Sequence, residues 1–338
     1  MLNYILPPHI LKHIVNHGEN DQKHWALATL TSSERIRGHR EILGRYNLGK
    51  RDSGKFRVIQ SADHTQNLIG QVSRKEGQAP DGDKSVDEAY EHTGDVYDFY
   101  LGAYNRNSLD GNGMKLFSTV HFGKNFNNAF WNGERMVFGD GDGKIFLRFT
   151  KCLEVIGHEM THGVTGSILQ LGYHDQPGAM NEAISDVFGS LSLQYKHKQT
   201  ADQAEWIIGA GLFTKKVNGV GIRSLKAPGT AYDDKVLGKD PCVADMKDYV
   251  NTTDDNGGIH MNCGIPSHAF YLAAVDIGGN AWEKAGRVWY NTLTRRLSDP
   301  NTTFQDFADL TLKVSRKLFG PGPETNAFNK AWKKVGVI

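Results

Sequence analysis

Three cysteines in 338 residues, Cys152, Cys242 and Cys263, are too few and too scattered for a disulfide framework or a cysteine zinc ribbon. A surplus of one charge is also missing. The 39 basic residues face 38 acidic ones, a net +1, which argues against a chain held mainly on nucleic-acid phosphates. No run approaches the roughly 18 apolar residues of a membrane span, so neither nucleic acid nor membrane is an expected partner. The opening Met1–Pro8 stretch has no basic start, a short apolar run broken at Pro7-Pro8, and no small-residue cleavage site. It predicts synthesis in the cytoplasm without a Sec-type signal, with export by a non-Sec route left open. Without such a signal, the sequons at Asn251 and Asn301 read as turn residues. What remains is a mixed globular chain, expected to be soluble and monomeric. At roughly 100–200 residues per domain it has room for about two domains.

Residues 9–46 predict two helical stretches. Ile10, Leu11, Ile14 and Val15 recur at helical spacing, and Ser32-Ser33-Glu34 reads as an N-cap before Ile36–Tyr46. A polar breaker spans 48–54, and the charge changes there: residues 1–51 carry +4, leaving −3 for 52–338. Five of the 14 histidines also precede residue 52. This pattern predicts a detachable N-terminal segment, the alternative being a plain helical cap. From Phe56 to about Phe149 the sequence reads as short strands and turns, strand-like at 56–59 and 118–122, with one helix near 84–106. Amphipathic runs then follow at 152–166, 179–197, 264–277, 280–296, 303–318 and 324–335. The expected class is α+β, divided as 1–51, 52–170 and 171–338, with a cleft between the last two parts.

The strongest chemical signal is Gly157-His158-Glu159-Met160-Thr161-His162. On a helix, positions four apart share a face, so His158 and His162 can present two imidazoles to one ion, with Glu159 beside them as a base. Two surface histidines on an ordinary helix are the alternative, and Val155, Ile156 and Val164 weigh against it. A catalytic zinc wants a third protein ligand and an open position. Nineteen residues separate His162 from Glu182, which lies in Asn181-Glu182-Ala183-Ile184-Ser185-Asp186. Glu182 can be that ligand, and Asp186, one turn on, can orient a ligand imidazole. Carboxylates on so apolar a helix need partners.

The chain resembles the thermolysin-like zinc metalloproteases over roughly residues 56–338, through several separate motifs. The 19-residue gap, and the lack of a Gly-x-Met-Glu-Asn motif, set it apart from the related aminopeptidases. The resemblance implies His158, His162 and Glu182 as ligands of one zinc ion, Asn181 and Asp186 behind them, and Glu159 as general base. Asp254-Asp255-Asn256-Gly257-Gly258-Ile259-His260 matches the segment of the oxyanion-facing histidine, so His260 takes that role and Asp255 fixes its tautomer. Tyr173 matches a second oxyanion donor. Arg223 matches the arginine on the substrate carbonyl beyond the scissile bond. Asn128 and Ala129 match the edge strand that pairs with substrate backbone. The implied specificity pocket, Phe146, Phe149, Val155, Ile208, Leu212 and Ile222, is wholly apolar and predicts cleavage before Leu, Phe or Ile. Ordinary core is the alternative for each of those six. An exopeptidase and a non-catalytic peptide binder are the competing functions.

Two departures qualify the resemblance. Positions that hold paired calcium ions in many members read Glu154, Leu193, Ile207 and Ala210 here, and hard cations need several oxygens. The double calcium site is therefore expected to be missing, and the Asp-Gly loop 139–143 reads as a turn. The short N-terminal segment with Pro7-Pro8 is instead similar to the precursors of the protealysin subgroup. That similarity implies a propeptide, residues 1–51, folded over the cleft as an intramolecular inhibitor, with self-cleavage near Leu48 or Phe56.

Overall fold

Residues 3–43, 54–169, 171–294 and 299–338 are described by the computed structural model. Strand β1 (Asn3–Tyr4) leads to Pro7 at φ −62°, and Pro8 opens helix α1 (Pro8–His17), where its missing N–H costs no helical bond. Ile10, Leu11 and Ile14 form the buried face of α1. Helix α2 (Asn20–Leu43) runs unbroken through Ser32-Ser33-Glu34, so the N-cap expected there is not formed. The reason is lateral bonding. Ser32 Oγ accepts from Gln66 Nε2 (2.7 Å), the Ser33 carbonyl accepts from the Tyr4 hydroxyl (2.7 Å), and Thr29 Oγ1 accepts from Asn127 N–H (3.2 Å). The Ser32 hydroxyl, a group that favours a cap in isolation, is engaged by the rest of the chain. Leu48 and the boundary positions 51, 52 and 170 lie outside the described residues, whereas Phe56 sits just before the next strand.

Strands β2 (Arg57–Ser61), β3 (Gln71–Lys75), β4 (Leu116–Val120), β5 (Ala129–Trp131) and β6 (Met136–Phe138) join β1 in one sheet. Among the described residues its order is β1-β5-β6-β4-β2-β3. β4 is parallel to β2 and β6, and the remaining pairs are antiparallel. β4 stops at Val120 because His121 takes a left-handed φ of 53°. Helix α3 (Lys84–Tyr104) is capped at its start by Asp83, whose side chain accepts from Val86 N–H, and packs on β2.

The remainder is mostly helical. Helices α4 (Leu153–Ile168) and α5 (Asp175–His197) pack together, and two short hairpins follow, β7 (Ile207–Ile208) with β8 (Arg223–Ser224) and β9 (Asp233–Asp234) with β10 (Gly238–Lys239). Then come α6 (Asp255–Asn262), α7 (Gly264–Ile277), α8 (Ala285–Leu293), α9 (Phe304–Phe319) and α10 (Pro323–Lys334). The helix expected over 280–296 is shorter at both ends. Trp289, Phe270 and Phe307 meet at ring distances of 4.9 and 5.1 Å to close this core. The class is α+β, as the sequence predicts. No helix among the described residues is long and apolar enough to cross a membrane.

Candidate active site

Helix α4 carries His158, Glu159 and His162, and α5 carries Asn181, Glu182 and Asp186. The two helices touch at Gly157 and Gly189. A Cβ on Gly157 would stand 2.5 Å from Ser192 Oγ and 2.9 Å from Gly189 Cα, and one on Gly189 would stand 2.5 Å from the Glu154 carbonyl oxygen. Bare backbone at both positions lets the helices approach closely enough for one carboxylate to meet both imidazoles.

His158 Nε2 and His162 Nε2 lie 2.9 Å apart, with Glu182 Oε2 3.3 Å from the first and Glu182 Oε1 3.4 Å from the second. All three side chains are buried. His158 Nδ1–H donates to Asp186 Oδ1 (2.8 Å), and His162 Nδ1–H donates to Asn181 Oδ1 (3.0 Å), with Ser185 Oγ also 3.0 Å away. With both Nδ1 atoms donating, neutral rings turn their Nε2 lone pairs toward each other and toward a carboxylate. Glu182 Oε2 accepts no hydrogen bond among the described residues. Such convergence of electron-pair donors fits a divalent cation, and two nitrogens with one carboxylate suit zinc. Ser185, one turn past Glu182, was not predicted. Its spacing was a usable signal, because it shares that helix face.

Glu159 is fully buried, and neither of its oxygens has a hydrogen-bond partner among the described residues. Burial pushes its carboxyl up to about 8, while a cation at the neighbouring ligands acts in the opposite sense. His260 enters from α6, after a turn with left-handed φ at Asn256 (51°), Gly257 (87°) and Gly258 (71°). Its Nδ1–H donates to Asp255 Oδ1 (2.7 Å). Burial alone would lower the His260 pKa, but the Asp255 and Glu182 carboxylates outweigh it and raise it to about 10. Tyr173 donates its hydroxyl to Glu182, and so faces the metal-site carboxylate in this state. Arg223 makes a two-pronged ion pair with Asp186. That pairing was not foreseen, because the partners stand 37 positions apart with strand β7 between them.

The cleft holds the chain's own N-terminus. β1 pairs antiparallel with β5, Tyr4 opposite Phe130 and Asn3 opposite Trp131. The Tyr4 carbonyl accepts from His260 Nε2 (3.0 Å), and Ile5 N–H donates to the Ala129 carbonyl (3.1 Å). The Ile5 carbonyl accepts from Arg223 (3.0 Å), and Leu6 N–H donates to Asn128 Oδ1 (3.0 Å). Phe146, Phe149, Val155, Ile208, Leu212 and Ile222 are all buried in the apolar cluster that also contains Ile5 and Leu6. Further out, His9 Nε2 lies 3.0 Å from the Tyr232 hydroxyl and His13 Nδ1 donates to the Val236 carbonyl (2.9 Å). Ion pairs across this contact run both ways, Lys12 to Asp254 and Lys144 to Asp21, and all four side chains are well exposed. Such pairs contribute little, so apolar burial and backbone bonds hold the segment.

Three features lie outside the cleft. Glu154 is buried, and its Oε1 accepts from Ala210 N–H (2.8 Å); burial pushes its carboxyl up to about 7. In the 139–143 loop, Asp142 Oδ1 accepts the backbone N–H groups of Lys144, Ile145 and Phe146. Asp140 accepts from His121 Nδ1 (2.8 Å), and His121 Nε2 lies 3.1 Å from Asp83, with His64 3.5 Å from Asp140. The hydrogen bond to Asp140 raises the His121 pKa despite burial, and the ring ties this loop to the start of α3. The three cysteines are free and buried.

The sequence matches the family model "Thermolysin metallopeptidase, catalytic domain" over residues 29–166 and the model "Thermolysin metallopeptidase, alpha-helical domain" over residues 169–337. It is 47% identical over 335 residues to an extracellular metalloprotease of Pectobacterium carotovorum subsp. carotovorum, covering 98% of this chain and 96% of that one. Identity to a thermolysin of Alicyclobacillus acidocaldarius subsp. acidocaldarius is 35% over 263 residues, 75% of this chain and 46% of that one. Among solved structures, the precursor of protealysin, a metalloproteinase from Serratia proteamaculans, superposes with a TM-score of 0.92 at 48% identity, covering 99% of this chain and all of that one. The buried His158–His162–Glu182 cluster and these matches over both parts of the chain lead to one conclusion: the chain belongs to the thermolysin family of metallopeptidases.

Proposed function

We propose that this metalloendopeptidase uses one zinc ion to cut peptide bonds on the N-terminal side of bulky apolar residues, and is made as a zymogen whose N-terminal segment, residues 1–51, is its inhibitor. The observation that carries the reading is residues 3–6 lying on His260, Ala129, Arg223 and Asn128 together. The backbone pairing continues upstream to Asn3, so the cleft seats backbone on both sides of the Tyr4–Ile5 bond. That favours an endopeptidase over an enzyme that reads a chain terminus. Ile5, the residue that follows the carbonyl on His260, is apolar and fully buried, which supports preference for such a side chain after the cut bond.

His158, His162 and Glu182 would hold the ion, positioned by Asp186 and Asn181. Bound there, zinc supplies an acidified water and polarises the peptide carbonyl. Glu159 takes the water proton and delivers it to the leaving nitrogen. His260, oriented by Asp255, donates to the oxygen that becomes negative, and Tyr173 joins it by turning from Glu182. Arg223 and Asn128 fix the substrate backbone beyond the bond. Glu154 is held by a protein N–H donor, which supports a fold that needs no paired calcium ions there. Peptides blocked at both ends, with Leu, Phe, Ile, Asp or Lys at one central position, test the reading on matured enzyme. Internal cuts before the first three are expected. A requirement for a free terminus, or preference for Asp, would sink it.

A further inference from the structure

Four consecutive contacts fix which bond of the N-terminal segment lies across the catalytic groups. The carbonyl on His260 is that of Tyr4, the N–H on Ala129 is that of Ile5, the carbonyl on Arg223 is that of Ile5, and the N–H on Asn128 is that of Leu6. In the endopeptidase reading, on which this inference rests, those partners serve the scissile carbonyl, the leaving nitrogen, and the next two backbone groups. The segment therefore lies in the polarity of a substrate, with Tyr4 before the bond and Ile5 after it. The side chains divide accordingly. Tyr4 packs with Phe130 (ring centroids 5.2 Å) in a small aromatic cluster with Phe122 and Phe126, whereas Ile5 is fully buried in the separate, main apolar core.

We propose that Tyr4–Ile5 is itself a substrate bond, hydrolysed in cis by the zinc-loaded chain, and that this cut comes before removal of the rest of the segment. A water molecule adds to the Tyr4 carbonyl carbon while Glu159 accepts its proton. That proton passes to the Ile5 nitrogen and the C–N bond breaks; the second proton of the same water, lost from the new Tyr4 carboxyl, then follows it, leaving a carboxylate on Tyr4 and an ammonium on Ile5 with no other reactant needed. The two new ends are anchored unequally. Downstream, Leu6 stays on Asn128 and α1 keeps Ile10, Leu11 and Ile14 buried. Upstream, the piece is held by the short β1 pairing, by the Tyr4 carbonyl on His260 and by the Tyr4 side chain, with no buried helix behind it among the described residues. The upstream piece leaves first and uncovers His260.

Wild type and Glu159→Gln, both full length and zinc-loaded, are followed by intact mass and N-terminal sequencing. Wild type is expected to yield a chain beginning at Ile5 and a released fragment ending at Tyr4, at a rate independent of protein concentration. Glu159→Gln should yield neither. Ile5→Asp should slow the cut by at least about tenfold. In Glu159→Gln the Ile5 and Leu6 amides should exchange with solvent about 100-fold more slowly than exposed amides. Free exchange at both would show that the register does not exist and overturn the proposal. A wild-type preparation that matures and digests casein, yet gives neither product, overturns the proposal alone. One that retains zinc and does none of these overturns the endopeptidase reading with it. A rate proportional to concentration would mean cleavage by a second molecule and overturn the cis step.

Discussion

Arg223 and Asp186 are joined by two buried hydrogen bonds, Nε to Oδ2 at 2.7 Å and a terminal nitrogen to Oδ1 at 2.8 Å, with neither side chain more than 3% exposed. Oδ1 also accepts from His158 Nδ1–H at 2.8 Å. One carboxylate thus orients both a metal-site imidazole and the arginine on the Ile5 carbonyl. Asp186→Asn keeps the shape and removes the charge, leaving Arg223 buried and unpaired. It should weaken zinc binding by about 10–100-fold, raise KM, and destabilise the fold by about 3–5 kcal/mol. Chelator competition and urea unfolding measure these effects, and an unchanged zinc affinity would separate Asp186 from the metal site.

Glu159→Gln should lower kcat on a blocked peptide by about 10²–10⁴-fold with zinc content unchanged, whereas His158→Ala should lose both. Loss of zinc from Glu159→Gln would make Glu159 a ligand rather than a base.

Asn128 bonds both the N–H and the carbonyl of Leu6. Asn128→Ala should raise KM by about tenfold, the worth of one or two hydrogen bonds, and leave kcat near wild type, since this backbone contact is made equally before and during reaction. Steady-state kinetics decide; a fall in kcat at constant KM would contradict that role.

Gly189→Ala should cost about 1–3 kcal/mol, because the added methyl meets backbone of α4 rather than a movable side chain. Zinc affinity should fall too, as α5 carries Glu182. Gly166→Ala, exposed on the same α4 with nothing near its Cβ, should instead stabilise by about 0.5–1 kcal/mol. Thermal melts with and without zinc compare the two, and equal effects would rule out a special crossing at Gly189.

Glu154 titrates near 7 when folded against an ordinary value of 4.5. A carboxyl raised in this way binds its proton more tightly folded than unfolded, so its contribution to stability falls as pH rises from about 4.5 to 7, by ~3 kcal/mol. Glu154→Gln should flatten that part of the stability–pH curve. Parallel curves for variant and wild type would show that Glu154 is not buried as an acid.

The convergence of the candidate site was legible because its logic is local: His158 and His162 share a helix face, Glu182 and Asp186 share another, and Asp255 lies five residues from His260. The α+β division was legible from periodicity. The Asp186–Arg223 pair, the order of the sheet and the seating of Tyr4-Ile5-Leu6 were not, because they depend on residues brought together from 37 to 256 positions apart. Ser32 and Ser33 misled for the converse reason. Their local preference is for a cap, but Ser32 Oγ is engaged by Gln66 and the Tyr4 hydroxyl docks on the Ser33 carbonyl of a helix that runs on.

The place of β1 at the rim of the sheet has a consequence for digestion. Under the proposed maturation, loss of β1 would make β5 an open edge, and an incoming polypeptide would have to offer several consecutive residues with unpaired backbone to seat there. A helix has already committed those groups internally, and a central strand has committed them to its neighbours. Susceptibility of a folded protein would therefore follow how often its segments unravel, more than how many leucines or phenylalanines it contains.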